Sequence, residues 1–192
     1  MMDEKSIIKN IRQLRLGKRM TLDRLAALTG LTKGYLSRIE NSKKAPPVST
    51  LSKISDALGT DITEFFIKDS ARPQESDTSI SITRKDETLK LGRKGLAPGY
   101  IYEALAYRMR GKNMESYIIT VGEKLSPSGF QHEGEEFIHV LEGKLEFSYN
   151  RKNYLLNEGD SVYFDSSKPH NGKSIGGRNA RFLCIIYSYK RA

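Results

Sequence analysis

The chain has 192 residues, of which 32 are lysine or arginine and 23 are aspartate or glutamate, so its formal net charge is +9. No apolar stretch approaches the ~20 residues that span a bilayer, and the N-terminus lacks the apolar segment of a signal peptide. The single cysteine, Cys184, rules out an internal disulfide and fits a reducing compartment. We therefore expect a cytoplasmic protein of one or two domains with no membrane partner.

The basic charge is concentrated near the N-terminus. Residues 1–45 hold 11 lysines and arginines against 4 acidic residues. A local basic excess favours a polyanion as partner, although it is also compatible with a solvated cationic face. Only a motif inside this region can decide between the two interpretations.

Apolar residues recur at helical spacing from Glu4 to Phe66 and predict five short helices. In the first of them, Ile7, Ile11 and Leu14 lie on one face. Residues suited to capping precede the other four helices, and glycines end three of the five. The predicted caps are Thr21, Thr32, Ser49 and Asp61, and the predicted ends are Gly17, Gly30 and Gly59.

Residues 21–41 have the form of two short amphipathic helices joined at Gly30, as in a helix-turn-helix that lays its second helix in the major groove of duplex DNA. The second helix keeps Leu36 and Ile39 on its inner face. Five outward positions are candidates for base edges: Lys33, Gly34, Tyr35, Ser37 and Arg38. Five more are placed for contacts to DNA phosphates, which fix the position of the protein along the duplex: Thr32, Asn41, Ser42, Lys43 and Lys44.

Residues 25–41, Leu-Ala-Ala-Leu-Thr-Gly-Leu-Thr-Lys-Gly-Tyr-Leu-Ser-Arg-Ile-Glu-Asn, resemble the lambda-repressor-like, XRE-type helix-turn-helix family. The resemblance extends over residues 7–66. It implies a five-helix DNA-binding domain, to which we assign residues 1–68. An XRE-like domain that has lost DNA binding and serves as a scaffold is the alternative.

The pattern changes after a polar, aperiodic segment at residues 69–78, which we interpret as a linker. From residue 79 to residue 192 apolar positions alternate with polar ones. This period predicts eight or more short strands, beginning around Ile80 and Ile82, in an antiparallel barrel or sandwich. The predicted fold is therefore a multi-domain α and β protein.

Two segments of the β region resemble the two cupin motifs. Residues 129–143 read Gly-Phe-Gln-His-Glu-Gly-Glu-Glu-Phe-Ile-His-Val-Leu-Glu-Gly, and residues 159–171 read Gly-Asp-Ser-Val-Tyr-Phe-Asp-Ser-Ser-Lys-Pro-His-Asn. The resemblance implies a cupin β-barrel over residues 79–192, which would sense a ligand and supply a dimer interface.

The cupin resemblance also implies a metal set. Its ligands carry over to His132, Glu136 and His170, whereas Phe130 occupies the position of the first cupin histidine. Residues 130, 132 and 136 share one face of a strand because their spacing is even. Two histidines and a carboxylate suit one divalent metal, Fe, Zn, Mn or Ni, and leave coordination positions open. Without a metal, the same residues would form a polar pocket; His139, at odd spacing, should face away.

Five aromatic residues are candidates for the wall of an effector pocket, with an ordinary core role as the alternative: Tyr100, Tyr102, Tyr117, Phe130 and Phe164. Three basic residues follow Tyr100 and Tyr102 in the sequence. Arg108, Arg110 and Lys112 either assist an anionic ligand or lie on a solvated strand edge.

The sequence favours a transcriptional regulator that binds a palindromic operator in double-stranded DNA as a homodimer and responds to a small-molecule effector. One alternative is a mononuclear non-haem iron enzyme resembling 2-hydroxypropylphosphonate epoxidase, which shares the layout and the reduced metal set. A third possibility is a dimeric DNA-binding module that has no effector.

Overall fold

The computed structural model describes residues 4–46, 48–66, 79–91, 99–109, 112–124 and 129–187. The described chain forms two compact units, one of helices and one of strands. The predicted linker, residues 69–78, lies outside the described residues. None of the described helices has the length and apolar character required to cross a membrane.

Four α-helices form the N-terminal unit: α1 Glu4–Gly17, α2 Leu22–Thr29, α3 Lys33–Asn41 and α4 Val48–Ala57. Three of the four predicted caps are confirmed: Thr21 accepts from the Arg24 N–H, Thr32 from the Tyr35 N–H and Asp61 from the Thr63 N–H. The fourth candidate, Ser49, lies within α4, which begins at Val48.

The predicted short fifth helix is a 3₁₀ helix of 4 residues, Ile62–Phe65, so the unit has four α-helices and the five-helix expectation is confirmed only in part. Its capping residue, Asp61, accepts hydrogen bonds from the N–H and the hydroxyl of Thr63. The amide of Asn10 donates to the carbonyl of Phe65 and so attaches this segment to α1.

The core of the helical unit is apolar and fully enclosed. Seven side chains from all five helical segments are at most 2 % exposed: Ile7, Ile11, Leu25, Leu36, Leu51, Ile54 and Phe65. One ion pair is buried beside them. The guanidinium of Arg15 on α1 donates to both carboxylate oxygens of Glu40 on α3, at 2.6 and 2.8 Å, and to the carbonyl of Met20 at 2.6 Å.

The Arg15–Glu40 pair fixes α3 against α1, because the two side chains are only 9 % and 6 % exposed and all their strong partners are internal. A bidentate guanidinium–carboxylate pair has one preferred geometry, so it sets the rotation of α3 as well as its distance.

The C-terminal unit contains nine described strands in two antiparallel sheets. The strands are β1 Leu89–Leu91, β2 Tyr100–Ala104, β3 Met114–Val121, β4 Glu135–Glu142, β5 Lys144–Tyr149, β6 Lys152–Asn157, β7 Ser161–Asp165, β8 His170–Ser174 and β9 Ala180–Tyr187. The first sheet has the order β1-β2-β3-β9-β4-β7 and the second has the order β6-β5-β8.

The closed barrel that the sequence predicts is not confirmed. In the described residues the two sheets meet through an isolated bridge between Phe130 and His170 and through single hydrogen bonds, rather than through a continuous ladder. The strand expected around Ile80 and Ile82 is absent as well. Both of these side chains are more than half exposed, so their alternation does not reflect a buried sheet face.

Tyr100 joins the two sheets. Its ring is buried on β2, and its single hydroxyl proton faces two acceptors, Asn171 Oδ1 (2.8 Å) and the carbonyl of Gly172, while its oxygen accepts from the Gly172 N–H at 2.8 Å. A Cβ at position 172 would lie 3.0 Å from Leu145 Cδ1, so glycine leaves room for the leucine side chain. The tyrosine therefore fixes β8 of the small sheet against β2 of the large sheet.

We expect the substitution Arg15→Met to destabilise the helical unit by about 3–5 kcal/mol, because it leaves the Glu40 carboxylate buried and unpaired. The matched control is Arg12→Met. Arg12 lies 3.9 Å from the same carboxylate but is 57 % exposed, so its loss should cost under about 1 kcal/mol. Urea unfolding followed by circular dichroism measures both. Equal effects of the two substitutions would contradict the assignment.

We expect Tyr100→Phe to lower the free energy of unfolding of the cupin-like unit by about 1–2 kcal/mol, since it removes the hydroxyl between the sheets. Tyr102→Phe is the control. Its hydroxyl makes no hydrogen bond within the described part of the chain, and its removal should change stability by less than about 0.5 kcal/mol. Calorimetric unfolding compares the two variants, and a larger loss for Tyr102→Phe would refute the role of Tyr100.

Candidate nucleic-acid interface and metal centre

Helix α3 presents a polar outer surface. Leu36 and Ile39 are buried as the sequence predicts, whereas Lys33, Gly34 and Arg38 are exposed. No atom lies within 4 Å of the position that a Cβ on Gly34 would occupy. The helix backbone is therefore open to close approach at this point by a molecule from outside.

The remaining candidates for base contacts are half-buried. The guanidinium of Arg38 lies 5.8 Å from the ring centroid of Tyr35, and the carbonyl of Ser37 accepts from the amide of Asn41 at 2.8 Å. Arg38 is thus supported on an aromatic face while its donors stay available. Lys33 pairs with Asp23 on α2 at 2.9 Å, but both side chains are more than 60 % exposed, so the pair is weak.

The phosphate candidates surround the two ends of α3. Thr32 caps the N-terminus of the helix, and Ser42 follows its last residue and accepts from the backbone N–H of Lys44 at 3.0 Å. Asn41, Ser42, Lys43 and Lys44 are all exposed. All ten residues that the sequence selects are therefore brought together on α3 and its flanks.

The three metal candidates also converge. The Nε2 atom of His132 lies 2.6 Å from Glu136 Oε1, and the Nε2 atom of His170 lies 3.2 Å from the same oxygen. All three ligand atoms lie within 4.8 Å of one another. Separations near 3 Å are those expected between atoms that bind one metal ion at about 2.1 Å, so this donor set fits a divalent cation.

Strands of both sheets build this cluster. Glu136 lies on β4 of the large sheet, and His170 begins β8 of the small sheet. The backbone N–H of His132 donates a hydrogen bond to the carbonyl of Ser166. The Nδ1 atom of the His170 ring lies 2.9 Å from the carbonyl of Lys168. The Lys168 carbonyl at Nδ1 orients the His170 ring so that Nε2 faces Glu136, the orientation that a metal ligand needs.

Glu136 is the buried centre of the cluster, with 6 % of its side chain exposed. Burial alone would raise the pKa of Glu136, but the hydrogen bonds from His132 and His170 lower it to about 2. The second carboxylate oxygen accepts from the thiol of Cys184 at 3.6 Å. Burial raises the pKa of Cys184 well above its ordinary value, so the cysteine is a neutral donor rather than a thiolate.

Aromatic rings enclose one side of the cluster. The rings of Phe164 and Phe130 lie 5.0 and 6.0 Å from the ring of His170. Tyr100 contacts Phe130 edge-on at 5.2 Å. Phe130, which replaces a cupin histidine in the sequence comparison, thus forms an apolar wall beside the three polar groups.

Three of the candidate pocket residues form a row on the large sheet. Tyr100 stacks on Tyr102 at 6.1 Å, and Tyr102 meets Tyr117 edge-on at 5.9 Å. All three are at most 6 % exposed. His139 contacts Ser161 and is only partly buried, outside the cluster, as its odd spacing predicts.

Sequence reasoning missed the Arg15–Glu40 pair and left Lys112 open between an anion contact and a solvated strand edge. Lys112 is not on a solvated edge, because its side chain is 6 % exposed and its Nζ atom lies 2.9 Å from Glu115. A signal was present in both cases. Arg15 follows Ile7 and Ile11 at a spacing of four, so it lies on the apolar face of α1. Glu115 alternates with exposed residues on β3, so it lies on the apolar face of that strand. Both patterns predict burial of a charged side chain.

Comparisons with known proteins agree with these two units. A helix-turn-helix family model matches residues 11–65, and a cupin-domain family model matches residues 117–186. The chain is 28 % identical over 177 residues to the HTH-type transcriptional regulator PuuR of Escherichia coli (strain K12), covering 91 % of each chain.

Two further relatives show the same architecture. The HTH-type transcriptional regulator SutR of Escherichia coli (strain K12) is 24 % identical over 178 residues, and the match covers 92 % of each chain. The crystal structure of an HTH_3 family transcriptional regulator from Vibrio cholerae superimposes with a TM-score of 0.68 at 24 % identity and covers 97 % of each chain. The chain therefore combines an XRE-type helix-turn-helix domain with a C-terminal cupin domain and is similar over most of its length to HTH-type transcriptional regulators.

Proposed function

We propose that the chain binds a palindromic operator in duplex DNA as a homodimer, with α3 of each subunit in the major groove. The observation that supports this most strongly is the combination of a fixed helix and an exposed surface. The Arg15–Glu40 pair holds the inner face of α3, and Lys33, Gly34 and Arg38 remain exposed on its outer face. A helix held in this way can present the same donors to each half-site.

The other predicted contacts extend this surface. Tyr35 and Ser37 lie beside Arg38, and their half-buried positions favour contacts through the hydroxyl groups. Phosphates would be bound on both flanks of the base-reading face by five residues: Thr32, Asn41, Ser42, Lys43 and Lys44.

The homodimer is proposed to form through the cupin domain. Exposed apolar side chains support this interface: Tyr154 and Leu155 on β6 are 46 % and 54 % exposed, and Tyr163 on β7 is 63 % exposed. β6 and β7 are edge strands of their sheets, and exposed apolar groups at a sheet edge favour pairing with a second copy.

The cupin domain is proposed to bind a small effector beside His132, Glu136 and His170, with Tyr100, Tyr102, Tyr117, Phe130 and Phe164 as its wall. The supporting feature is a buried polar cluster enclosed by aromatic rings, the usual composition of a small-molecule site. The effector would regulate DNA binding only if its affinity differs between two arrangements of the dimer.

We further propose that His132, Glu136 and His170 hold one divalent cation of the Fe, Zn, Mn or Ni group. A cation bound there would supply open coordination positions to an oxygen or nitrogen atom of the effector. The residues of the chain have separate roles. Cys184 orients the Glu136 carboxylate, Phe130 leaves one side of the site apolar, and the Lys168 carbonyl fixes the His170 ring.

A mononuclear iron enzyme is the second candidate, and one observation favours it. The two histidines and the carboxylate approach one another closely enough to form a facial triad with open positions, the ligand set of non-haem iron oxygenases. Oxygen consumption by the iron-loaded protein, measured with a phosphonate substrate, separates the two functions. Turnover would establish the enzyme, whereas an inert protein that binds an operator would establish the regulator alone.

The DNA-binding proposal is tested by selecting fragments from the encoding genome and measuring affinity by fluorescence anisotropy at several salt concentrations. We expect Arg38→Gln to weaken operator binding by about 1–3 kcal/mol and random-duplex binding by much less, because a base contact carries sequence information. Arg84→Gln removes the same charge from an exposed position in the cupin domain and should change neither affinity. Equal binding to operator and random duplex by the wild type would refute the proposal.

The metal proposal is tested by anaerobic titration with Fe(II) and by metal analysis of the dialysed protein. We expect one metal ion per chain, and His170→Ala should weaken binding by at least about 100-fold because it removes a ligand. His139→Ala is the matched control, since His139 lies on β4 outside the cluster. Retention of full metal affinity by His170→Ala would exclude the assigned site.

A further inference from the structure

The large sheet carries apolar residues on both of its faces. On β9, residues 182–187 are all apolar, and β3 contains the apolar run of residues 117–119. An antiparallel sheet with one solvated face alternates apolar and polar residues, whereas an uninterrupted apolar run is typical of a strand that is covered on both sides. The inward residues of these strands are buried in the core of the cupin domain. A second covering surface is therefore expected on the outside.

The outward apolar residues of four neighbouring strands, β3, β9, β4 and β7, are contiguous. Ile185 on β9 is paired with Phe137 on β4, and Phe137 is paired in turn with Tyr163 on β7. The same register joins two further apolar pairs between β3 and β9. Residues paired across antiparallel strands project to the same side. Together these seven side chains form the outer patch: Met114, Ile118, Phe137, Tyr163, Leu183, Ile185 and Tyr187.

The outer patch is accessible in a single chain. Met114 and Tyr163 are 59 % and 63 % exposed, and Tyr187 is 38 % exposed. The other four members are half-buried. Contiguous exposed apolar groups of this kind mark a surface that contacts another molecule, whereas apolar residues scattered singly over a surface do not.

The helical unit does not offer a matching surface. Among the described side chains of residues 4–66, the exposed large apolar ones are only Leu16 and Leu28. The same unit has a basic surface, because residues 1–45 hold 11 lysines and arginines against 4 acidic residues. An apolar patch without a charged member is instead complementary to itself, as a two-fold interface requires. The surface that fits the outer patch is therefore the outer patch of a second copy.

The size of the sheet also suits a dimer. At about 4.8 Å between strands and about 3.3 Å per residue, its six strands cover roughly 600 Å² in projection. The exposed edge residues Tyr154 and Leu155 on β6 add to this area, and Tyr163 on β7 belongs to both the edge and the outer patch. A standard interface buries about 800 Å² on each partner. The face and the edge together approach that size.

We propose that two copies of the chain pack their large sheets face to face through the outer patch. This inference rests on the proposed homodimer and names the face that forms it. Sheets packed in this way lie about 10 Å apart and interdigitate their side chains, so the dimer has a sandwich of two sheets at its centre. The β6 edge contributes less to dimerisation than the outer patch.

Analytical ultracentrifugation of the full-length protein over a concentration series tests the inference. Met114→Glu/Ile185→Glu should weaken dimerisation by at least about 100-fold, because like charges would then meet in an apolar interface. Leu155→Glu tests the β6 edge, and we expect it to weaken dimerisation by less than about 10-fold. Leu16→Glu is the control, since Leu16 is a similarly exposed residue of the helical unit, and it should dimerise as the wild type does.

The outcomes separate the proposed face from the homodimer itself. Unchanged dimerisation of the folded Met114→Glu/Ile185→Glu variant would overturn the inference and leave the homodimer in place. A wild-type protein that stays monomeric at every concentration would contradict the homodimer as well. Circular dichroism shows whether each variant is folded.

Oxidation of Met114 in the wild type serves if the double variant unfolds. Peroxide converts an accessible methionine to its sulfoxide, so Met114 should oxidise at least about five-fold more slowly in the dimer than in dilute monomer. Met20 of the helical unit is the internal control and should oxidise at the same rate in both. Peptide mass spectrometry measures the two rates. An equal rate for Met114 in the monomer and the dimer would refute the proposed face.

Discussion

The buried bidentate pair between Arg15 and Glu40 is the contact on which the DNA-facing surface depends. Helix α3 has nine residues and contributes only two fully buried apolar side chains, Leu36 and Ile39, to the core. Apolar contacts are not directional, so two of them leave the rotation of a short helix loosely defined. The Arg15 guanidinium sets this rotation, because its hydrogen bonds to Glu40 are directional. It fixes the inner face of α3, and as a consequence it determines which residues remain outside.

A comparable constraint operates in the cupin domain. The Tyr100 hydroxyl joins β2 to β8, and β8 carries His170 toward Glu136 on β4. The cluster therefore depends on how the two sheets pack, since each sheet supplies part of it. An occupant that contacts both sheets would stabilise one packing arrangement over another, and the proposed effector would act on the helical unit through such a change.

Local signals made much of this fold predictable. Thr21 and Thr32 cap helices because the pattern of one short segment suffices to place a cap. The expectation that Phe130, His132 and Glu136 share one face of a strand is not confirmed, because β4 begins at Glu135 and His132 lies before it. His170 could be added only through the cupin resemblance, because it lies on a distant strand. The ten candidates for DNA contacts also lie on α3 and its flanks, because one short segment of the sequence contains them all.

The errors arose where the outcome depends on contacts between distant segments. Arg15 and Glu40 are 25 residues apart, and no local pattern pairs them. Asp61 was correctly placed as a cap, but the helix that follows it is a 3₁₀ helix, and the carbonyl of Phe65 at its end accepts from Asn10 of α1, 55 residues away. Whether two sheets close into a barrel depends on hydrogen bonds at their edges, which alternation of apolar residues does not specify.

The most direct test of the account is hydroxyl-radical footprinting of the full-length protein on selected genomic fragments. The account predicts two protected patches on one face of the duplex, separated by about one helical turn and related by the symmetry of the DNA sequence. Uniform protection along every fragment, or none at all, would contradict the claim that α3 reads an operator.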